Sequence, residues 1–191
     1  MLSKKIIADS LKNYNRKIIQ NINREFIPSA VLVPIIADGA DLSFLFTKRT
    51  SDVEHHKGQI SFPGGRLDDK DLSLEHAALR ECEEEIGLSK SKVEIVGMLD
   101  DLSVPSGYLI TPIVAFINNQ NWIVNKMEVE SVFQVSISKF FDQANLKVEK
   151  RERGGKLIDI YYYYVYGEPI WGATAHIVKN FCSVIADYKQ H

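Results

Sequence analysis

The chain has 191 residues, of which 45% are hydrophobic, so it is long enough to bury a core as a single domain spanning residues 1–191. Its 23 Lys and Arg residues nearly balance 25 Asp and Glu residues, and the net charge of −2 argues against nonspecific nucleic-acid binding. Two cysteines are too few for a disulfide framework or a zinc site. Because no apolar run is long enough for a membrane span or a secretory signal, we expect a cytoplasmic protein with no membrane partner.

Hydrophobic periodicity alternates between helical and strand patterns along the chain. Apolar residues at helical spacing predict an amphipathic helix over residues 3–24. Two β-rich stretches, 29–37 and 42–47, predict a hairpin closed by an Asp-Gly-Ala-Asp turn. Further predicted elements are a helix at 72–87, strands at 93–99, 110–117 and 129–135, a short helix at 137–143, a strand at 157–165 and a helix at 173–188. Mixed strands covered by helices indicate an α/β sandwich.

Four consecutive tyrosines occupy residues 161–164 of the last predicted strand. Because side chains alternate between the two faces of a strand, every second ring should pack into the core. Two alternatives stay open for the other rings: stacking on an adenine, or a subunit contact within a homodimer.

The predicted helix at 72–87 carries three carboxylates on one face. At about 100° per residue, Glu84 and Glu85 lie roughly 60° and 40° on either side of Glu81, whereas Glu83 points away. Like charges repel by roughly a few tenths of a kcal/mol per pair on an exposed helix. A hard divalent cation such as Mg²⁺ removes that penalty and prefers carboxylate oxygens. The alternative is an ordinary solvated, Glu-rich helix.

The residues around this acidic face favour a metal site over a solvated helix. The Pro-Gly-Gly turn at 63–65 lets the backbone approach a ligand closely. Arg80 can hold a neighbouring carboxylate through its fork of donors, and Gly87 is a suitable helix stop. Three aspartates before the helix can cap it: Asp68, Asp69 and Asp71.

Residues 80–88 read RECEEEIGL, and the segment 64–88 resembles the Nudix box. That motif has a glycine and a spaced acid before Arg-Glu-apolar-any-Glu-Glu-any-Gly-apolar. From Gly65 to Arg80 the chain is one residue longer than the general box, and Asp71 stands in place of the spaced Glu. The resemblance implies a Nudix-type α/β/α sandwich with a mixed β-sheet. It also implies a hydrolase of a nucleoside diphosphate linked to another moiety.

The resemblance also implies the roles of individual residues. Four groups would bind Mg²⁺ or Mn²⁺: the carboxylates of Glu81, Glu84 and Glu85, and the backbone oxygen of Gly65. Arg80 would orient the carboxylates, and two acids are candidates for the base that takes a proton from the attacking water, Glu84 and Glu128. Basic residues flanking the presumed cleft are candidates for contacts with the diphosphate: Arg49, Lys57 and Arg66.

Three further stretches resemble one branch of this family, the coenzyme A pyrophosphatase-like proteins. They are the segment from LFTKRT at 45–50 to FPGG at 62–65, the segment PSGYLITP at 105–112, and WGATA at 171–175. Two positions depart from the branch signature: Thr50 replaces Ser or Ala, and Glu54 replaces Arg. The branch implies coenzyme A or acyl-coenzyme A as substrate, cleaved to 4′-phosphopantetheine and adenosine 3′,5′-bisphosphate.

Two other functions stay open at this point. One is a Nudix hydrolase that acts on ADP-ribose, a dinucleotide or a nucleoside triphosphate, because the box builds the metal site and not the pocket for the leaving group. The other is a nucleotide- or RNA-binding module that keeps the fold without turnover. The complete acid triplet favours the enzyme.

Overall fold

The computed structural model describes residues 2–21, 25–38, 41–50 and 58–189, without the side chains of Asp38, Arg153 and Lys156. The helices are α1 (Lys4–Lys12), α2 (Leu74–Ile86), α3 (Ser138–Phe141) and α4 (Gly172–Tyr188). The strands are β1 (Ile27–Asp38), β2 (Asp41–Arg49), β3 (Ile60–Ser61), β4 (Gly64–Arg66), β5 (Val93–Met98), β6 (Leu102–Ser103), β7 (Tyr108–Ile117), β8 (Val129–Ser136), β9 (Leu146–Arg153), β10 (Lys156–Tyr166) and β11 (Glu168–Trp171). No helix in these ranges is long and apolar enough to cross a membrane.

Strand β1 is the centre of the larger sheet, whose main path is β3-β2-β1-β7-β5. It runs parallel to β7, with Ile27 opposite Tyr108 and Ile36 opposite Ile117. It is antiparallel to β2 and to the short β4, which makes the sheet mixed. Strand β8 pairs with β2, and β6 pairs with β7. A second sheet of three antiparallel strands has the order β11-β10-β9.

Two apolar clusters cover the two faces of the larger sheet. On one face, α2 contributes Ala78, Cys82 and Ile86, which cluster with Leu32 and Ile36 of β1. The other cluster joins the phenylalanines of β2 to α4, with the rings of Phe44 and Phe181 5.0 Å apart, and it includes residues of α1, α3 and the second sheet. The predicted α/β/α sandwich with a mixed β-sheet is confirmed.

The predicted N-terminal helix is wrong beyond Lys12 within the described residues. Helix α1 ends there, and residues 14–21 have no regular structure; residues 22–24 lie outside the described ranges. Tertiary hydrogen bonds replace the helical ones in this segment: the Tyr14 hydroxyl donates to Asp100 at 2.7 Å, and Arg16 Nη1 donates to Asp101 at 2.7 Å. These bonds attach the segment to the loop between β5 and β6.

The predicted hairpin is confirmed as the antiparallel pair β1–β2, although residues 39 and 40 of its turn lie outside the described part. The sequence interpretation missed β9, a charged strand joined to β10 through Gly154 and Gly155. That Gly-Gly pair, with positive φ at both residues, is a hairpin signal. Of the tyrosine run, Tyr163 is buried in the core and Tyr164 is 54% exposed, as strand alternation predicts.

Candidate metal and diphosphate site

Helix α2 carries the predicted acidic face. It begins at Leu74, where the Ser73 hydroxyl accepts a hydrogen bond from the His76 backbone N–H at 3.2 Å. The predicted aspartate cap is therefore wrong, because Ser73 is the N-cap. The helix ends as predicted at Gly87, whose φ of 67° is left-handed and whose N–H donates to the Cys82 and Glu83 carbonyls.

The three acids of this face differ sharply in exposure. The Glu85 side chain is 3% exposed and that of Glu81 is 16% exposed, whereas that of Glu84 is 57% exposed. Glu83 is exposed, as the helical arithmetic predicts. The acidic face therefore runs from a buried carboxylate to a solvated one across the edge of the helix.

Glu85 is a buried carboxylate with weak compensation. Its Oε2 accepts a hydrogen bond from the Gly64 N–H at 3.3 Å, and its Oε1 lies 3.5 Å from Arg49 Nη1. Burial raises the pKa of Glu85 to about 8; the charges of Glu81 and Glu128 add to the rise, and Arg49 opposes it. A cation would stabilise the ionised form of this group.

Glu81 lies directly against the glycine turn. A β-carbon added at Gly65 would stand 2.5 Å from Glu81 Oε1 and 2.8 Å from Oε2, so only glycine leaves room for the carboxylate in this position. Burial raises the pKa of Glu81, and the hydrogen bond from Arg80 opposes that rise. The backbone of the turn and the side chain of the helix thus meet at one point.

Arg80 connects the acids of the site. Its Nη1 donates to Glu81 at 2.8 Å and to Glu84 at 3.1 Å, while its Nη2 donates to Asp71 at 3.0 Å and to the Arg66 carbonyl at 3.1 Å. Hydrogen bonds from Arg80 hold the pKa of Asp71 well below its usual range, and the same bonds raise the pKa of Arg80. The Asp71 side chain is fully buried, so it holds the guanidinium from behind.

Glu128 approaches the acidic face from the loop before β8. It is half-buried, and its Oε1 accepts a hydrogen bond from Asn125 Nδ2 at 3.2 Å. Its charge contributes to the raised pKa of both Glu81 and Glu85. Asn125 was missed in the sequence, although its backbone N–H donates to the Glu85 carbonyl at 2.9 Å and so attaches this loop to α2.

The predicted diphosphate-binding residues do not all meet at the site. Arg49 contacts Glu85, whereas Arg66 is exposed and pairs with Asp68 at 2.9 Å. Lys57 lies outside the described residues, as does Glu54, the position that departs from the branch signature. Thr50 is the other position that departs from the branch signature. Its hydroxyl donates a hydrogen bond to the Met127 carbonyl at 3.3 Å, in the loop before β8.

The donor set suits a hard divalent ion, but the carboxylates are engaged by arginines. Within the described ranges, no three His, Cys, Asp or Glu side chains are already grouped so that they could hold a metal ion. Glu81 and Glu84 both accept from Arg80, and Glu85 faces Arg49. The weak compensation of Glu85, together with the Glu81 carboxylate lying against the Gly65 backbone, fits a site that binds a divalent cation.

Comparison with known proteins places the chain in a family. The NUDIX domain model matches residues 27–143. The uncharacterized Nudix hydrolase NudL of Photorhabdus laumondii is 36% identical over 153 residues, which cover 80% of this chain and 81% of that protein. The chain belongs to the Nudix hydrolase family, whose members act on nucleoside diphosphate derivatives, and the prediction of a Nudix pyrophosphohydrolase is confirmed.

Solved structures share the fold at low sequence identity. A MutT/nudix family protein from Enterococcus faecalis has a TM-score of 0.53 and 14% identity, covering 97% of this chain and 76% of its own. An Ap4A hydrolase from C. elegans has a TM-score of 0.50 and 18% identity, covering 58% of this chain and 80% of its own. At these identities the likeness concerns the fold alone.

Proposed function

We propose that this protein is a metal-dependent hydrolase of coenzyme A or its acyl derivatives. It would release 4′-phosphopantetheine and adenosine 3′,5′-bisphosphate. The observation that carries the hydrolytic part is the buried, weakly compensated Glu85 beside Glu81, both set against the Gly64-Gly65 turn. Such carboxylates are costly to the fold unless they bind a cation, because burial disfavours their charged form.

The metal ligands in this proposal are the carboxylates of Glu81, Glu84 and Glu85 and the backbone oxygen of Gly65. Bound Mg²⁺ or Mn²⁺ would neutralise the diphosphate and lower the pKa of a bound water. Glu84 is available to turn inward, because its side chain is 57% exposed and contacts the Arg80 guanidinium at 3.1 Å. Arg80 itself stays in place, since Asp71 holds it from the other side.

Hydrolysis requires a base near the attacking water. The oxygen of the water forms a bond to phosphorus, the anhydride P–O bond breaks, and the leaving phosphate takes the electron pair while a carboxylate takes the proton. Glu128 is better placed for this role than Glu84. It is half-buried, it accepts a hydrogen bond from Asn125, and its charge raises the pKa of both Glu81 and Glu85. Glu84 already serves as a metal ligand in this proposal, so Glu128 is left as the carboxylate that takes the proton.

Two of the three stretches that resemble the coenzyme A branch, the first (45–50 with 62–65) and the last (171–175), lie next to each other, which supports the substrate assignment. Arg49, at the end of β2, connects the first stretch to the acidic face. Its backbone N–H donates to the Gln59 carbonyl at 3.0 Å, and its side chain reaches Glu85. Thr174, near the start of α4, donates its buried hydroxyl to the Ile60 carbonyl at 3.2 Å. The signature segments of these two stretches therefore meet at β3: segment 45–50 pairs with it, segment 62–65 follows it in the chain, and segment 171–175 donates a hydrogen bond to it.

A substrate panel tests this proposal. The purified protein would be incubated with Mg²⁺ or Mn²⁺ and coenzyme A, ADP-ribose, NADH, a diadenosine polyphosphate and nucleoside triphosphates, with products resolved by chromatography. Preferential release of 4′-phosphopantetheine from coenzyme A is the expected result. Preference for ADP-ribose, a dinucleotide or a triphosphate would replace the substrate assignment, and no turnover of any compound with either metal would favour the binding module.

A further inference from the structure

The two arginines of the site hold their carboxylates in different ways. Arg80 makes three short contacts of 2.8–3.1 Å through its Nη atoms to Glu81, Glu84 and Asp71. Arg49 approaches Glu85 at 3.5 Å, which is longer than the 2.7–2.9 Å typical of a charge-assisted hydrogen bond. Arg80 is therefore fixed by its partners, whereas Arg49 lies beside Glu85 without a short hydrogen bond.

The placement of Arg49 leaves its guanidinium free to reorient. Its side chain is 26% exposed, and its Nη1 lies beside the acidic face, 3.5 Å from Glu85. Its Nε is buried and has no hydrogen-bond partner within the described part of the chain. A shift of the guanidinium toward an anion at the surface would break no short hydrogen bond to the described residues and would give its donors new acceptors.

We propose that Arg49 is the partner of Glu85 in the metal-free protein and moves to the substrate diphosphate when a divalent ion binds. This inference rests on the proposed function and adds a step to it. Arg49 and the ion compete for one buried carboxylate, and an ion beside Glu85 repels the guanidinium. A diphosphate offers the displaced guanidinium bidentate phosphate contacts.

Coupling between the two ligands follows from this exchange. Without substrate, Arg49 weakens metal binding, because the ion must displace it from Glu85. With a diphosphate present, Arg49 has a better partner and the ion binds more tightly. By linkage the metal strengthens diphosphate binding by the same factor, and such couplings are typically about 5- to 150-fold.

Direct Mn²⁺ titration of chelator-stripped protein tests the inference without relying on turnover. Free Mn²⁺ would be measured by electron paramagnetic resonance, alone and with excess adenosine 5′-(α,β-methylene)diphosphate, which cannot be hydrolysed at its bridge. We expect Arg49→Gln to bind Mn²⁺ alone about fivefold or more tightly than the unaltered protein. The gain in Mn²⁺ affinity on adding the nucleotide should fall toward onefold in this variant.

Lys48→Gln is the matched control, since Lys48 precedes Arg49 on β2 but pairs with Glu168 at 2.8 Å and not with the acidic face. It should bind Mn²⁺ as the unaltered protein does. Arg49→Lys keeps the charge beside Glu85, so its binding of Mn²⁺ alone should stay weak while its coupling to the nucleotide falls. Circular dichroism would confirm that each variant is folded.

Two results would overturn the inference, and only one of them would also overturn the proposed metal site. If Arg49→Gln binds Mn²⁺ alone no more tightly than the unaltered protein while coenzyme A is still hydrolysed, Arg49 does not compete with the ion for Glu85 and the proposed function stands. If neither protein binds Mn²⁺ at all, the proposed metal site fails together with this inference.

Discussion

Gly65 lies so close to Glu81 that a β-carbon at position 65 would stand 2.5 Å from the Glu81 Oε1 atom. The next contact of the same β-carbon, with Oε2, would be at 2.8 Å. The obstacle is the end of a side chain and not backbone, so a larger residue could be accommodated if the carboxylate moved. Gly65 therefore fixes the position of a candidate metal ligand and contributes little to the stability of the fold.

Gly65→Ala should separate function from stability. We expect a loss of about 10- to 100-fold in Mn²⁺ affinity and turnover, because the Glu81 carboxylate must leave its position. The melting temperature should change little. Isothermal titration with Mn²⁺ and a thermal melt of the same sample would measure both quantities.

The neighbouring glycine provides the contrast for that experiment. At Gly64, φ is +150°, and an added β-carbon would overlap the Ala30 carbonyl oxygen and stand 2.6 Å from Val31 Cα, which are backbone atoms of β1. Gly64→Ala should therefore destabilise the protein by more than about 1 kcal/mol. If Gly65→Ala proved as destabilising as Gly64→Ala, its proposed role in placing Glu81 would be wrong.

Asp71→Asn should weaken the fold through Arg80. The fully buried Asp71 accepts from Arg80 at 3.0 Å, and removal of its charge should lower the free energy of unfolding by about 2 kcal/mol at pH 7. Because Arg80 lowers the pKa of Asp71, this stabilisation exists above the unfolded pKa of about 3.9 and is lost as the pH falls below it.

Urea denaturation of both proteins between pH 3 and pH 7 would show whether the difference shrinks as the pH falls. Asp69→Asn is the control, because Asp69 is exposed in the same loop. A constant difference down to pH 3 would contradict the assignment of the effect to ionised Asp71.

The acidic helix and the N-terminal segment show which parts of the structure can be predicted from sequence. The order of the acids and the stop at Gly87 follow from helical geometry over a few residues. The burial of Glu85 and its contact with Arg49 depend on the packing of α2 against the larger sheet, which no local pattern encodes. The helix predicted from apolar spacing fails beyond Lys12 for a similar reason. The hydrogen bonds from residues 14–21 to Asp100 and Asp101 are tertiary, and they override the local helical pattern.

Arg16→Gln should test that tertiary attachment. Arg16 Nη1 donates to the nearly buried Asp101, which also accepts from the Thr111 hydroxyl at 2.7 Å. Loss of the charged hydrogen bond should reduce the free energy of unfolding by about 1.5 kcal/mol. Lys17→Gln is the control: Lys17 is exposed and joins the loop through its backbone, so its substitution should stay within about 0.5 kcal/mol. Equal effects in urea denaturation would contradict the role given to Arg16.

Glu85→Gln should stabilise the metal-free protein in a pH-dependent way. Burial raises the pKa of Glu85 to about 8, whereas an unfolded chain has a value of about 4.3. Between these values the folded state holds a proton that the unfolded state releases, so the stability of the unaltered protein falls as the pH rises. In the presence of a chelator, the variant should therefore melt higher than the unaltered protein at pH 8 and similarly at pH 4.5. If the difference in melting temperature were the same at both pH values, or larger at pH 4.5, burial of Glu85 would not disfavour its charged form as described.

The most direct test of the account compares turnover by the unaltered protein, Glu85→Gln and Glu83→Gln, with coenzyme A and Mn²⁺ and chromatographic detection of 4′-phosphopantetheine. Glu83 is an exposed acid on the same helix, so its substitution controls for charge. We expect Glu85→Gln to lose at least about 100-fold in rate while Glu83→Gln keeps full activity. Unchanged turnover in Glu85→Gln would contradict the assignment of the acidic face as the metal site.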